Sequence, residues 1–161
     1  MAGTELGDHT AATALFPQFE SQLYEMVVSE VQGLTVGQLD FESDRWEWSG
    51  WSIRRNLSHV ASGDFRWIWG RWGQQLFPDG LPNAKELDAL IESPQDRRLD
   101  EQLYWELDSI LEKVRQGLVL CWSVLATETA GSLRSKEIET RSSVLCAQHP
   151  DMYPGGIPMK L

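Results

Sequence analysis

The chain has 161 residues, 42% of them apolar and 10% aromatic, enough for one domain with a core that needs no disulfide staples. Fourteen basic against twenty-four acidic side chains leave a formal charge of −10, which repels phosphate backbones and anionic headgroups and argues against nucleic acid and membrane as partners. The two cysteines, Cys121 and Cys146, are too few for a stapled secreted fold and point to a reducing cytoplasm.

The opening "MAGTELGDHTAATALF" lacks the basic and apolar regions of a signal peptide, and residues 1–14 are expected to form a flexible N-terminus. From Phe16 to Leu34 apolar residues recur at Phe16, Phe19, Leu23, Val27, Val31 and Leu34, a three-and-four spacing that predicts a first helix ended by Gly33. Thr35 stands three residues before Gln38, the capping-box pattern of a short helical turn. Residues 42–50 are expected to be a loop, and Ser52 to cap a second helix, although Arg55 occupies the position where a capping box has Glu or Gln.

On that second helix Ile53, Leu57, Val60, Ala61, Trp67 and Ile68 form one stripe at about 100° per residue, and His59 points away from it. Trp69 and Trp72 also lie off the stripe, whereas Trp67 and Trp122 take core positions. Asp64 falls within the stripe, so its carboxylate needs a partner, Arg71 or Arg54, or a polar cavity.

Pro78, Gly80 and Pro82 mark 73–83 as a loop, followed by a helical turn over 84–91. Ser93 and Pro94 offer a cap, after which Leu99, Leu103, Leu107, Ile110, Val114, Leu118, Cys121, Trp122 and Leu125 keep helical spacing; this predicts the longest helix in the chain. Its least polar stretch, "GLVLCWSVLA" at 117–126, is half of what a membrane span requires. A fourth helix is expected from Thr140 to His149, cut short by Pro150, with residues 150–161 an irregular tail. The pattern predicts an all-α four-helix bundle over 15–149 with a shortened C-terminal helix.

There is no Gly-rich phosphate loop, no Cys-x-x-Cys, no His-Glu-x-x-His and no nucleophile elbow, so no nucleotide cofactor is expected. The histidines are His9, His59 and His149. A divalent-metal site normally takes three protein ligands, one more than the two helix-borne imidazoles supply; Asp64, Asp151 or Glu30 offers an oxygen.

"GLTVGQLDF" at 33–41 followed by "WSGWSIRRNLSHV" at 48–60 resembles the DinB-like (DinB/YfiT) superfamily, whose members are taken to be metalloenzymes. The resemblance covers about residues 15–77. It implies a four-helix bundle, usually a homodimer, with zinc or nickel held by one histidine of helix two and two of an H-x-x-x-H on the last helix. His59 matches the helix-two ligand. The ending "TRSSVLCAQHPDMYPGGIPMKL" keeps Thr140, Arg141, Val144, Leu145, Tyr153, Gly155 and Gly156 of the family pattern. His149 corresponds to one helix-four ligand, while Pro154 stands where another is expected.

Two functions follow. The first is a divalent-metal-dependent enzyme of the thiol transferase or hydrolase type, with His59 and His149 as metal ligands and a low-molecular-weight thiol or other small molecule as substrate. The second is a metal-free protein on the same bundle that binds a small apolar or aromatic ligand, or a partner, beside helix two.

Overall fold

The computed structural model describes residues 7–45, 50–95, 97–140 and 157–160. It is mostly helical. In chain order the elements are α1 (Ala12–Leu15), a 3-10 turn (Pro17–Phe19), α2 (Gln22–Val31), α3 (Val36–Leu39), α4 (Ile53–Asp64), a π-helix (Phe65–Arg71), α5 (Gly73–Leu76), α6 (Ala84–Ile91), α7 (Leu107–Thr127), α8 (Ala130–Ser135), β1 (Glu137–Thr140) and β2 (Ile157–Lys160). Among the described residues no helix is long and apolar enough to cross a membrane.

Contacts divide the chain into two compact units, one of Phe16–Val124 and one that joins Met1–Leu15 to Leu125–Leu161. In the smaller unit the Ala12 N–H donates to the Glu128 carbonyl at 3.0 Å and the Ala130 N–H to the Thr10 carbonyl at 2.8 Å. Residues 8–12 are thus tied by backbone bonds, not by side-chain packing alone. Thr129 closes a capping box with Ser132 at the start of α8. β1 and β2 pair antiparallel with Glu137 opposite Lys160 and Thr140 opposite Ile157. Thr140 therefore ends a strand instead of starting the expected fourth helix, and Ile157–Lys160, expected to be irregular, is the partner strand; residues 141–149 lie outside the described residues.

In the larger unit one core cluster holds Ala61, Phe65, Leu87, Leu90, Leu99 and Val114 and a second holds Val31, Leu39, Leu57 and Ile110. Each of the larger side chains among them contributes about 1.5–3 kcal/mol on leaving water. Gly33 takes a positive φ of 82° just beyond α2, a conformation that suits a residue without Cβ. Thr35 and Gln38 then form the expected capping box, and Ser52 caps α4 by accepting from the Arg55 N–H at 3.3 Å.

The buried face of α4 is Arg54, Leu57, Ser58, Ala61 and Ser62, continued by Phe65, a helical repeat that polar residues hide from a hydrophobicity count. Ile53, Val60 and Trp67, expected in the core, are instead 41%, 48% and 39% exposed. Each polar member of the face has a partner. Ser58 Oγ accepts from the Leu99 N–H at 3.0 Å and Ser62 Oγ from Arg66 Nε at 2.8 Å. Arg54, 4% exposed, forks onto Asp40, with Nη2 donating to Oδ2 at 3.2 Å. It also donates from Nη1 to the Trp105 carbonyl at 2.8 Å and lies 4.9 Å from the Trp105 ring centroid.

Beyond Asp64 the helix loosens, and the Trp72 N–H donates to the Trp67 carbonyl five residues back at 3.2 Å. Such a turn inserts one residue and rotates everything after it by about 100° relative to an α-helix. Trp72, off the predicted stripe, is consequently in the core at 2% exposure. The 73–83 loop also contains one helical turn, α5, before Gly80 turns the chain at φ 75°.

The long helix begins at Leu107, not at Ser93. Among the described residues of 93–106 three backbone N–H groups bond to side chains of the same segment, which competes with a helical ladder. Ser93 Oγ accepts from the Gln95 N–H at 3.1 Å, Gln95 Oε1 from the Glu101 N–H at 3.1 Å and Asp100 Oδ1 from the Gln102 N–H at 2.8 Å. Arg97 adopts φ 57°, which a helix does not contain. The apolar spacing continues through a segment that has, among its described residues, only one isolated helical turn, the Tyr104 N–H donating to the Asp100 carbonyl at 2.8 Å.

The π-helical rotation predicts a contrast between two tryptophans. Trp72→Ala is expected to destabilise the protein by about 3–5 kcal/mol and Trp67→Ala by less than about 1. Urea unfolding of both variants measures it, and equal losses would remove the phase shift.

Candidate functional site

His59 is partly exposed on α4, turned away from the buried face. Its Nδ1 lies 2.7 Å from the Arg97 carbonyl oxygen. A carbonyl only accepts, so Nδ1 carries the proton and donates, which leaves Nε2 as the free lone pair in the neutral ring. The Trp51 ring meets the imidazole edge-on, with centroids 5.3 Å apart and planes at 63°, and the Arg98 guanidinium lies 5.0 Å from the Trp51 ring centroid. The strained left-handed backbone at Arg97 is what aims that carbonyl at α4. Arg55, one turn before His59, donates to Glu101 at 3.0 Å and also bonds Glu42; Arg98 pairs with Glu101 at 3.2 Å. Ion pairs thus lock the 93–106 segment to α4 around the imidazole.

A backbone carbonyl on one ring nitrogen and a free second nitrogen is the tie that orients metal-binding imidazoles. Among the described residues no three His, Cys, Asp or Glu side chains gather into a metal-binding group. Glu30 is exposed on α2, and His9 belongs to the smaller unit. His149 and Asp151 lie outside the described residues. The described donor set does not fit zinc or nickel, which take three or more protein ligands.

Asp64 is the second feature. It was expected to pair with Arg71 or Arg54, but Arg71 stacks 3.8 Å from the Trp67 ring centroid and Arg54 is committed to Asp40. Among the described residues Asp64 has no hydrogen bond or ion pair. It presses on α7 at Gly117, where an added Cβ would come within 2.8 Å of both Asp64 Cβ and Oδ2. Burial raises its carboxyl from 3.8 to about 6. One turn further along α7, burial and then the Asp64 charge push the Cys121 thiol up to about 12. Cys121 is therefore protonated at neutral pH and a poor nucleophile.

The third feature is a groove of about 370 Å³ formed by α6, α7 and the start of the π-helix. Phe65, Leu87, Leu90 and Leu120 make its floor, and Glu86, Arg115, Gln116 and Ser123 its rim. Arg115 is held in place by a two-nitrogen fork onto Glu112 at 2.8 and 2.7 Å. Lys113 Nζ donates to Gln116 at 2.8 Å, which fixes the neighbouring rim amide.

The groove and the buried Arg54 escaped the sequence. α6 appeared as one more helical turn, and an arginine two residues after a cap carries no burial signal of its own. Comparison with models of known families, with curated proteins and with solved structures finds no match to this chain.

Asp64 gives a signed pH dependence. Its proton is held more tightly in the folded chain than in the unfolded one, so ionisation opposes folding. The cost is absent below about pH 4, grows between about 4 and 6, and is complete above about 6. Asp64→Asn is expected to flatten that slope and to raise stability at pH 7.5 by roughly 2 kcal/mol; urea midpoints from pH 4 to 8 measure it, and an unchanged slope would refute it. Gly117→Ala should cost about 1–3 kcal/mol through the forced contact, and combining it with Asp64→Ala should recover only part of that, because the contact with the Asp64 Cβ remains.

Proposed function

We propose that the chain is a helical small-molecule-binding protein on a DinB-like scaffold, taking an apolar or aromatic ligand in the groove between α6 and α7. The observation that carries this reading is the continuity of the groove floor with the core. Phe65, Leu87 and Leu90 are buried core residues that also line the groove, so the floor is preformed and rigid. Arg115 and Gln116, each held by a neighbour on α7, give fixed polar contacts at the rim. An apolar cleft with few oriented polar groups is the usual construction of a small-ligand site. His59, in this reading, is a structural residue that pins the 93–106 segment.

Ligand-observed NMR with a panel of small aromatic acids and amides tests it. Some members should bind in the millimolar range or tighter, and Ser123→Trp, which fills the groove from an exposed position, should abolish that binding with the fold intact. Binding that survives Ser123→Trp would move the site elsewhere.

A second reading is favoured by the His59 to Arg97 bond. It is a zinc- or nickel-dependent thiol transferase or hydrolase, with His59 and His149 as ligands and a low-molecular-weight thiol or other small substrate. Both readings make the protein a cytoplasmic homodimer. Elemental mass spectrometry after incubation with zinc and nickel and desalting separates them. The metal reading expects about one ion per chain, lost in His59→Ala; no retained metal in either protein supports the binding-protein reading.

A further inference from the structure

A second hollow, of about 410 Å³, lies on the other side of α6 among the π-helix, α5 and the loop that follows. Two aromatic rings and one carboxylate define its chemistry. Trp69 and Phe77 stand with centroids 6.1 Å apart and planes tilted by 44°, and the Trp69 indole N–H donates to Asp88 Oδ1 at 2.8 Å. Asp88 is the one charged residue among the described residues that line the hollow. Its Oδ2 has no partner among the described residues, and its Oδ1 is fixed by the indole.

The ring is held from below as well. A Cβ on Gly73 would come within 3.3 Å of Trp69 Cε3, so the indole lies directly against backbone that carries no side chain. Gly80 lets the chain turn back after Phe77, with its N–H donating to the Phe77 carbonyl at 2.9 Å. Aromatic faces carry negative potential and attract cations, most effectively those too weakly hydrated to prefer water. A carboxylate held at the indole edge adds to that field, and no described lining residue opposes it.

We propose that this hollow is a binding site for a small alkylammonium ion, held by the Trp69 and Phe77 rings and neutralised by Asp88. The site is independent of the groove on the opposite side of α6 and of His59. Alkali ions suit it less well, because aromatic faces do not replace the tight hydration shell that such ions keep.

The test is a titration of the labelled full chain with tetramethylammonium chloride and with choline chloride, following the indole N–H signals, with sodium chloride at equal ionic strength as control. The Trp69 signal, assigned by its loss in Trp69→Phe, should shift saturably with both organic cations and not with sodium. Asp88→Asn keeps an acceptor for the indole while removing the charge, and is expected to weaken binding by roughly tenfold without disturbing the other indole signals. Phe77→Leu should weaken it by a few-fold. Absence of a saturable shift up to about 50 mM would overturn the proposal. An identical response in Asp88→Asn, or to sodium chloride, would overturn it as well.

Discussion

One buried guanidinium organises the larger unit. Arg54 enters the core at the first turn of α4 and meets two separate pieces of chain: Asp40 just after α3, and Trp105 just before α7 through both its carbonyl and its ring. An arginine out of water is tolerated only when its donors are satisfied and its charge is opposed. Asp40, itself 29% exposed, supplies the charge and keeps contact with solvent. The fork geometry then fixes direction, because five donors in a plane accept partners only from set angles.

Once Arg54 points inward, the rest of α4 has no rotational choice. Leu57, Ser58, Ala61, Ser62 and Phe65 follow it into the core, and Ile53 and Val60 are turned out. His59 is then presented to the Arg97 carbonyl, and Asp64 to the Gly117 backbone of α7. The π-helix after Asp64 changes the phase once more, which sends Trp72 inward and places Trp69 beside Asp88. Each candidate binding feature of this unit is a consequence of those two rotations. Arg55 reinforces the first of them from outside, through Glu101 and Glu42.

What the sequence made legible follows from where its signals are local. Caps are local, and Thr35, Gln38 and Ser52 act as their residue types predict. The mostly helical character was legible from apolar spacing. The rotation of α4 was not, because its buried face contains an arginine and two serines whose partners, Asp40, Leu99 and Arg66, are set by tertiary contact and by one neighbour a turn away. The start of α7 was misplaced for a related reason: leucines at helical spacing continue through 93–106, while Ser93, Gln95 and Asp100 bind the backbone there. Of the candidate site, the outward placement of His59 was legible, and its tie to a left-handed Arg97 was not, since nothing marks a non-glycine residue for that conformation. That Asp64 has no partner among the described residues was also hidden, because Arg71 lies at a suitable spacing but spends its charge on Trp67.

The account stands on the coupling between Arg54 and Asp40, and a double-mutant cycle measures it directly. Urea unfolding of the parent chain, Arg54→Met, Asp40→Leu and the pair gives the interaction free of each residue's other contacts. A partly buried, forked ion pair that orients α4 predicts a coupling of about 2 kcal/mol or more, with the His59 ring signals shifted in either single variant. A coupling below about 0.5 kcal/mol with those signals unmoved would contradict the account, and would mean that apolar packing alone sets the rotation of the helix.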